Sequence, residues 1–289
     1  MADPWEAHAA GGAVLAAASE AIGSDVVTGC HDETLLATTE FVQPALLACE
    51  VAAFAVIGGL GLPIVGAAGH SLGEFAAVVA AGACDLATML EVVVVRGRAM
   101  QRAGEARPGT MSALIGARVE EAAALCDDAR GDDVLVVANE NSPTQVVISG
   151  SISAVERAEK LAATRKVRAV RLNVAGAFHS SLMEPAVAPI VAALARTEFR
   201  TPRFPIAENV TGSLVDDPEA LRALLGRQVV SPVRWESCAR ALAAAGTTTF
   251  VEAGPGDVLT KMAKRIVPGL AAVAVGSPEA ALMLMPDHV

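Results

Sequence analysis

Gly69-His70-Ser71-Leu72-Gly73 sets one hydroxyl between two glycines at the spacing G-x-S-x-G. Small residues on both sides of a serine allow a sharp turn that lifts the hydroxyl above the edge of a sheet, provided a buried strand precedes it and a helix follows. The apolar run over 63–68 reads as that strand, and GEFAAVVAAGA reads as the helix. Five residues alone carry little information in a chain rich in Gly and Ala; the strand–turn–helix setting gives them weight. In that setting the helix N-terminus and the Leu72 backbone N–H are expected to stabilise an oxyanion.

A serine hydroxyl is a poor nucleophile until a base takes its proton. Five histidines are available. His8 and His288 lie near the ends of the sequence, His31 sits in a polar stretch, and His70 is too close along the chain to reach the next residue's hydroxyl usefully. His179 remains, in Gly176-Ala177-Phe178-His179-Ser180. A lone histidine is often a satisfied structural residue, so the residues by themselves leave both roles open.

The elements around these residues alternate. Helices are predicted over 12–21, 44–57 and 85–103, with the elbow between the second and third. After the Pro-Gly pair at 108 and 109 the pattern changes to a strand at 111–115, a helix at 119–130, strands at 134–139 and 145–149, a helix at 152–163 and a strand at 167–172. That βαββαβ order is the ferredoxin-like split, inserted into a larger unit. The larger unit resumes with a helix after His179, a strand at 205–209, helices at 217–228 and 234–245, a strand at 248–252, and a last helix and strand. The expected fold class is therefore α/β, with residues 1–107 and 174–289 forming a large domain and 108–173 an inserted subdomain.

Bulk properties narrow the chemistry. Hydrophobic residues make up 53% of the chain but aromatic ones only 3%, which suits packed helices and buried parallel strands rather than a base-stacking platform. A net charge of -10 without a basic block argues against nucleic acid as a partner. Cys30, Cys49, Cys84, Cys126 and Cys238 show no metal-binding or disulfide spacing, so a reducing cytoplasm is expected and no metal is. The acidic opening MADPWEAHAA does not read as a signal peptide. Val51–Ala68 is charge-free over about the length of a bilayer span, but Gly58, Gly59, Gly61 and Pro63 break it into helix, turn and strand, so no membrane is expected.

Seven segments together carry a resemblance: GHSLGE at 69–74, RGRAMQ at 96–101, GTMSALIG at 109–116, NENSPTQVVISG at 139–150, GAFHSSLM at 176–183, PVRW at 232–235 and EAGPG at 252–256. In this order and spacing the chain, from about residue 12 to about 277, resembles the malonyl-CoA:acyl-carrier-protein transacylases and the acyltransferase domains of polyketide synthases. The resemblance implies an α/β-hydrolase-like large domain with a parallel sheet. It implies that Ser71 takes the malonyl group from malonyl-CoA as an ester, that His179 serves as base and then acid, and that a carrier protein's phosphopantetheine thiol collects the group without any cofactor. Backbone carbonyls, supplied from the segment around Arg234, are implied to orient the imidazole in place of an Asp.

Arg96 matches the family arginine that pairs with the free malonyl carboxylate, a task suited to a planar guanidinium with two parallel donors. Phe178 resembles the bulky residue of malonyl-selective members, where a ring crowds an α-methyl group. Gln43, Met100 and Asn139 match positions beside the acyl pocket.

The family also carries an initial buried strand and a Gly-Gln-Gly-Ser-Gln loop that gives a second oxyanion donor. Neither occurs here; the sequence opens at Met1-Ala2-Asp3-Pro4. Met1 is accordingly expected to be internal to a longer reading frame or the start of a truncated copy, and a weakly active remnant that binds carrier protein or synthase is one alternative. A serine esterase of the α/β-hydrolase type is the other, though such enzymes place an acidic residue and then the histidine late in the chain.

Overall fold

The computed structural model describes residues 1–285; residues 286–289, which include His288 and the end of the expected large domain, lie outside the described residues. A single helical turn at Asp3–Glu6 precedes helix α1 (Ala9–Ile22) and the long α2 (Thr39–Gly58), whose first turn is capped by the Thr38 hydroxyl. Between them Asp25 and Asp32 each cap a single helical turn, a detail that the polar composition around His31 concealed. Helix α2 is apolar enough by length and composition to cross a bilayer, yet 67% of that window is buried against the rest of the protein, as in the central helix of a core. It ends at Gly58, and the expected division of Val51–Ala68 into helix, turn and strand is what the backbone does.

The strand before the elbow is shorter than the apolar run predicted. Only Ala67–Ala68 (β1) pairs, with Ala67 N–H reaching Pro205 O at 3.0 Å. Pro63 has no N–H to offer a ladder, and Gly66 is pressed against Leu242 and Pro205, so residues 63–66 stay outside the strand. The elbow follows, then α3 (Gly73–Ala80) and α4 (Leu86–Ala106), the latter capped by Asp85 at Thr88 N–H.

The inserted unit contains β2 (Gly109–Ile115), α5 (Val119–Arg130), β3 (Leu135–Ser142), β4 (Gln145–Ser151), α6 (Ile152–Thr164) and β5 (Arg168–Arg171). Its strands form one antiparallel sheet in the order β3-β4-β2-β5, the ferredoxin-like arrangement. Leu114, Leu125, Leu135, Ile148 and Val155 give it a core separate from that of the larger lobe.

The larger lobe resumes with α7 (Glu184–Leu194), β6 (Ile206–Ala207), β7 (Leu214–Val215), α8 (Pro218–Arg227), α9 (Trp235–Ala244), β8 (Thr249–Ala253), α10 (Val258–Ile266) and β9 (Ala271–Val275). Strand β1 runs parallel to β6 and β8 parallel to β9, while the short β7, absent from the sequence prediction, folds back antiparallel on β6. One stitch joins the lobes at the site. Val233 N–H donates to Ala138 O at 2.9 Å and Glu140 N–H to Val233 O at 2.8 Å, so the edge of β3 is covered by the segment that leads into α9.

Candidate active site

The elbow is tight because Gly69 lies against the Gly73 backbone, where any Cβ would collide, and because Ser71 adopts a left-handed φ of 53°. An L-residue in that region is held there by its surroundings. Asn209, fully buried just beyond β6, grips the turn at two points: Ser71 N–H donates to its Oδ1 at 2.7 Å, and its Nδ2 donates to Gly69 O at 2.8 Å. The Leu72 N–H has no acceptor among the described residues, and Leu72 opens α3 at its N-terminus.

His179 arrives from the other side of the chain, also left-handed at φ 57°, with Nε2 2.9 Å from Ser71 Oγ. Its Nδ1 lies 3.1 Å from Gln228 O and 3.0 Å from Ser231 O. Carbonyl oxygens only accept, so the hydrogen sits on Nδ1 and Nε2 is the free lone pair that receives the serine proton. Burial, with the Arg96 charge as a second cause, lowers the imidazole pKa to about 3. The ring is therefore neutral, with its Nε2 lone pair free, across the physiological range.

Arg96 completes the cluster. Gly97 lets α4 approach the start of α2 closely, because a Cβ there would meet Thr39 O, and this brings Arg96 and Gln43 together. The guanidinium, buried and stacked over the Phe75 ring, donates from Nη1 to Gln43 Oε1 at 2.6 Å. From Nη2 it donates to Ser71 Oγ at 3.0 Å and to Gln228 Oε1 at 2.9 Å. Burial draws its pKa down to about 10, which leaves it cationic at neutral pH. Among the described residues its hydrogen-bond partners, Gln43, Ser71 and Gln228, are all uncharged. The nearest acid, Glu74, is reached only through Gln228, whose Nε2 donates to Glu74 Oε2 at 2.6 Å and to Ser71 O at 2.9 Å. Burial lifts the Glu74 carboxyl to about 8.

A nucleophile, a neutral base and a fixed cation thus converge within hydrogen-bonding distance, and the arrangement suits acyl transfer from a substrate with a carboxylate end. The acyl transferase domain family matches residues 13–281 of this chain. This chain belongs to the acyl transferase family. The malonyl CoA-acyl carrier protein transacylase of Escherichia coli K12 is 39% identical over 272 residues, covering 92% of this chain and 87% of that protein. The enzyme of the same name from Bacillus subtilis 168 is 37% identical over 250 residues, covering 86% of this chain and 79% of that protein. Among solved structures, an acyl carrier protein S-malonyltransferase from Vibrio cholerae superposes with a TM-score of 0.93 at 39% identity, covering 99% of this chain and 95% of that one. A malonyl-transacylase in complex with its type II PKS acyl-carrier protein gives a TM-score of 0.95 at 34% identity, covering 99% of this chain and 94% of that one.

In this acyltransferase several residues singled out from the sequence stand together: Ser71, His179, Arg96 and Gln43, with Met100 Sδ accepting from Gln43 Nε2 at 3.2 Å. Phe178 packs at the junction of the larger lobe's core and a small cluster formed by Met111, Ala113, Ala138 and Val147. Two expectations shift. The imidazole is oriented by the carbonyls of Gln228 and Ser231, not by that of Arg234, which accepts from Cys238 N–H at 3.0 Å. The motif marked the right segment, but α9 begins at Trp235 and its first turn takes up the Arg234 carbonyl. Asn139 sits at a bulge of β3 and its backbone faces Val233; no hydrogen bond joins its side chain to the reacting groups among the described residues. Asn141, two residues on, is the amide that reaches the elbow, its Oδ1 accepting from His70 Nε2 at 2.8 Å. Asn209, Gln228, Ser231, Glu74 and Asn141 were not anticipated as site residues. Among the described residues no cluster of His, Cys, Asp or Glu has the makings of a metal site.

Proposed function

We propose that this acyltransferase moves a malonyl group from malonyl-CoA to the phosphopantetheine thiol of an acyl carrier protein through an ester on Ser71. The observation that carries this reading is the buried Arg96 guanidinium placed 3.0 Å from Ser71 Oγ with only neutral partners of its own. A carboxylate at the far end of the acyl group is the counter-ion such a site selects. Ser71 Oγ attacks the thioester carbonyl while its proton passes to His179 Nε2. The tetrahedral oxyanion forms near the Leu72 N–H at the start of α3. As the C–S bond breaks, the leaving thiolate takes the proton back, and the carrier's thiol repeats the sequence in reverse to collect the malonyl group. The relatives' printed activities support donor and acceptor alike.

The absence of a carboxylate on His179 Nδ1, where two carbonyls sit instead, counts against a Ser-His-Asp esterase. We assign residues 1–107 and 174–289 to the catalytic lobe and 108–173 to the inserted lobe that walls the cleft. All five cysteines are free thiols, which supports a reducing, cytoplasmic setting. The test is intact-mass analysis after mixing with malonyl-CoA. The chain should gain one malonyl group, the Ser71→Ala variant none, and added holo-carrier protein should remove it; an unmodified wild-type chain would overturn the proposal.

A further inference from the structure

Strand β1 ends at Ala68, opposite Ala207 of β6, so backbone pairing stops before the turn that presents the nucleophile. What continues the ladder is a side chain. Asn209, two residues past β6, offers one acceptor and one donor, as a peptide group does, and meets Ser71 N–H at 2.7 Å and Gly69 O at 2.8 Å. The amide is itself fixed. It is 0% exposed, its own N–H donates to Glu74 Oε2 at 3.3 Å, and its carbonyl accepts from Arg234 N–H at 2.9 Å.

We infer that Asn209 is a positioning residue for acylation, clamping the elbow so that Ser71 keeps its left-handed backbone and its hydroxyl stays between His179 and Arg96. Without the clamp the Ser71 N–H and Gly69 C=O lose their partners, and the φ of 53° at Ser71 is held on its carbonyl side alone, by Gln228 Nε2 and Glu74 N–H. The Leu72 N–H, next along the chain, turns with it. A displacement of about 1 Å at a reacting atom costs on the order of 10²-fold in rate.

This rests on the reading that Ser71 is acylated. The experiment is the single-turnover rate of Ser71 malonylation by malonyl-CoA, followed by intact mass, for the full chain with Asn209→Ala and Asn209→Asp. The Ala variant should acylate about 10²-fold more slowly. The Asp variant adds a signature that a purely structural role would not give. A protonated Asp reproduces both bonds, donating from its hydroxyl to Gly69 O and accepting from Ser71 N–H, whereas a carboxylate sets lone pairs against Gly69 O. Burial should bring that carboxyl into the measurable range, as it does for Glu74, held at about 8. The Asp-to-wild-type rate ratio should therefore fall by about tenfold or more from pH 5.5 to 8.5, the equivalent of one hydrogen bond. A flat ratio overturns the inference, as does a folded Ala variant acylating within about threefold of wild type. If the Ala variant does not fold, the Asp ratio decides alone. A wild-type chain that takes no malonyl group would instead remove the acylation reading itself.

Discussion

Ser71 and His179, 108 residues apart, both hold left-handed backbone conformations and meet through a 2.9 Å hydrogen bond. Apart from Lys166 they are the only non-glycine residues with positive φ among those described. The backbone is thus strained on both sides of the proposed proton transfer, and each side is held by a polar clamp. Asn209 grips Ser71, while His179 N–H donates to Val229 O at 3.1 Å in the same segment that orients its ring.

The base should show an unusual pH dependence. In the free protein burial and the Arg96 charge put the His179 pKa at about 3, so the acid limb of kcat/KM, which reports the free enzyme, should lie below pH 5. A bound malonyl carboxylate neutralises Arg96 and removes that repulsion, so the acid limb of kcat should lie at higher pH. Steady-state profiles from pH 4.5 to 8 check both; a kcat/KM limb near the ordinary 6.5 would contradict the geometry. His179→Ala should slow acylation by about 10²- to 10⁴-fold.

Arg96 should govern which acyl group is taken. Arg96→Ala should lower malonyl loading by about 10²- to 10³-fold, equivalent to about 3–4 kcal/mol for two charged hydrogen bonds. Acetyl loading, which offers no carboxylate, should change far less. Lysine should recover little, since a point charge cannot span Gln43 Oε1 and Gln228 Oε1 as the fork does. Competition between malonyl-CoA and acetyl-CoA, read by intact mass, measures the ratio; an unchanged ratio would refute the role.

Much of this site was legible because it is written in side chains. G-x-S-x-G needs its first glycine because a Cβ at Gly69 would collide with the Gly73 backbone, and the turn before α3 and the middle of α4 bring Ser71 and Arg96 within 3.0 Å of each other. What stayed hidden is carried by backbone or by residues without a periodic signal. Any residue supplies a carbonyl, so nothing in the letters separated Gln228 and Ser231 from Arg234. Asn209 follows a two-residue strand and reads as loop, and its role depends on β1 and β6 lying side by side. The strand over 63–68 was overestimated because hydrophobicity shows what can be buried but not which backbone groups find partners.

Glu74 should make stability fall with rising pH. Its folded pKa of about 8 stands above the ordinary value of 4.5, so its contribution is fully present below about 4.5 and is lost as pH rises through 8. Glu74→Gln keeps an acceptor for Gln228 Nε2 and the Asn209 N–H but cannot ionise. The variant's Tm should therefore match wild type near pH 5 and exceed it at pH 8.5, by about 2–4 °C for each kcal/mol at this chain length. Thermal melts at both values test the sign. A parallel pair of curves would place the carboxyl's ionisation outside the folded state's working range.

Phe178 should set tolerance for substitution at the α-carbon. It is half-buried between the core of the larger lobe and the cluster of Met111, Ala113, Ala138 and Val147, next to the base. If the ring borders the acyl pocket it should crowd an α-methyl group, and rejection of one methyl is worth about 1–3 kcal/mol. Phe178→Ser removes the ring while leaving the His179 ring to be held by Gln228 O and Ser231 O. The ratio of methylmalonyl to malonyl acylation should rise about tenfold or more, chiefly through faster methylmalonyl loading. Competitive loading of the two thioesters, followed by intact mass on Ser71, measures it. If both acylation rates fall in parallel, the ring supports the base's position and does not gauge the substrate.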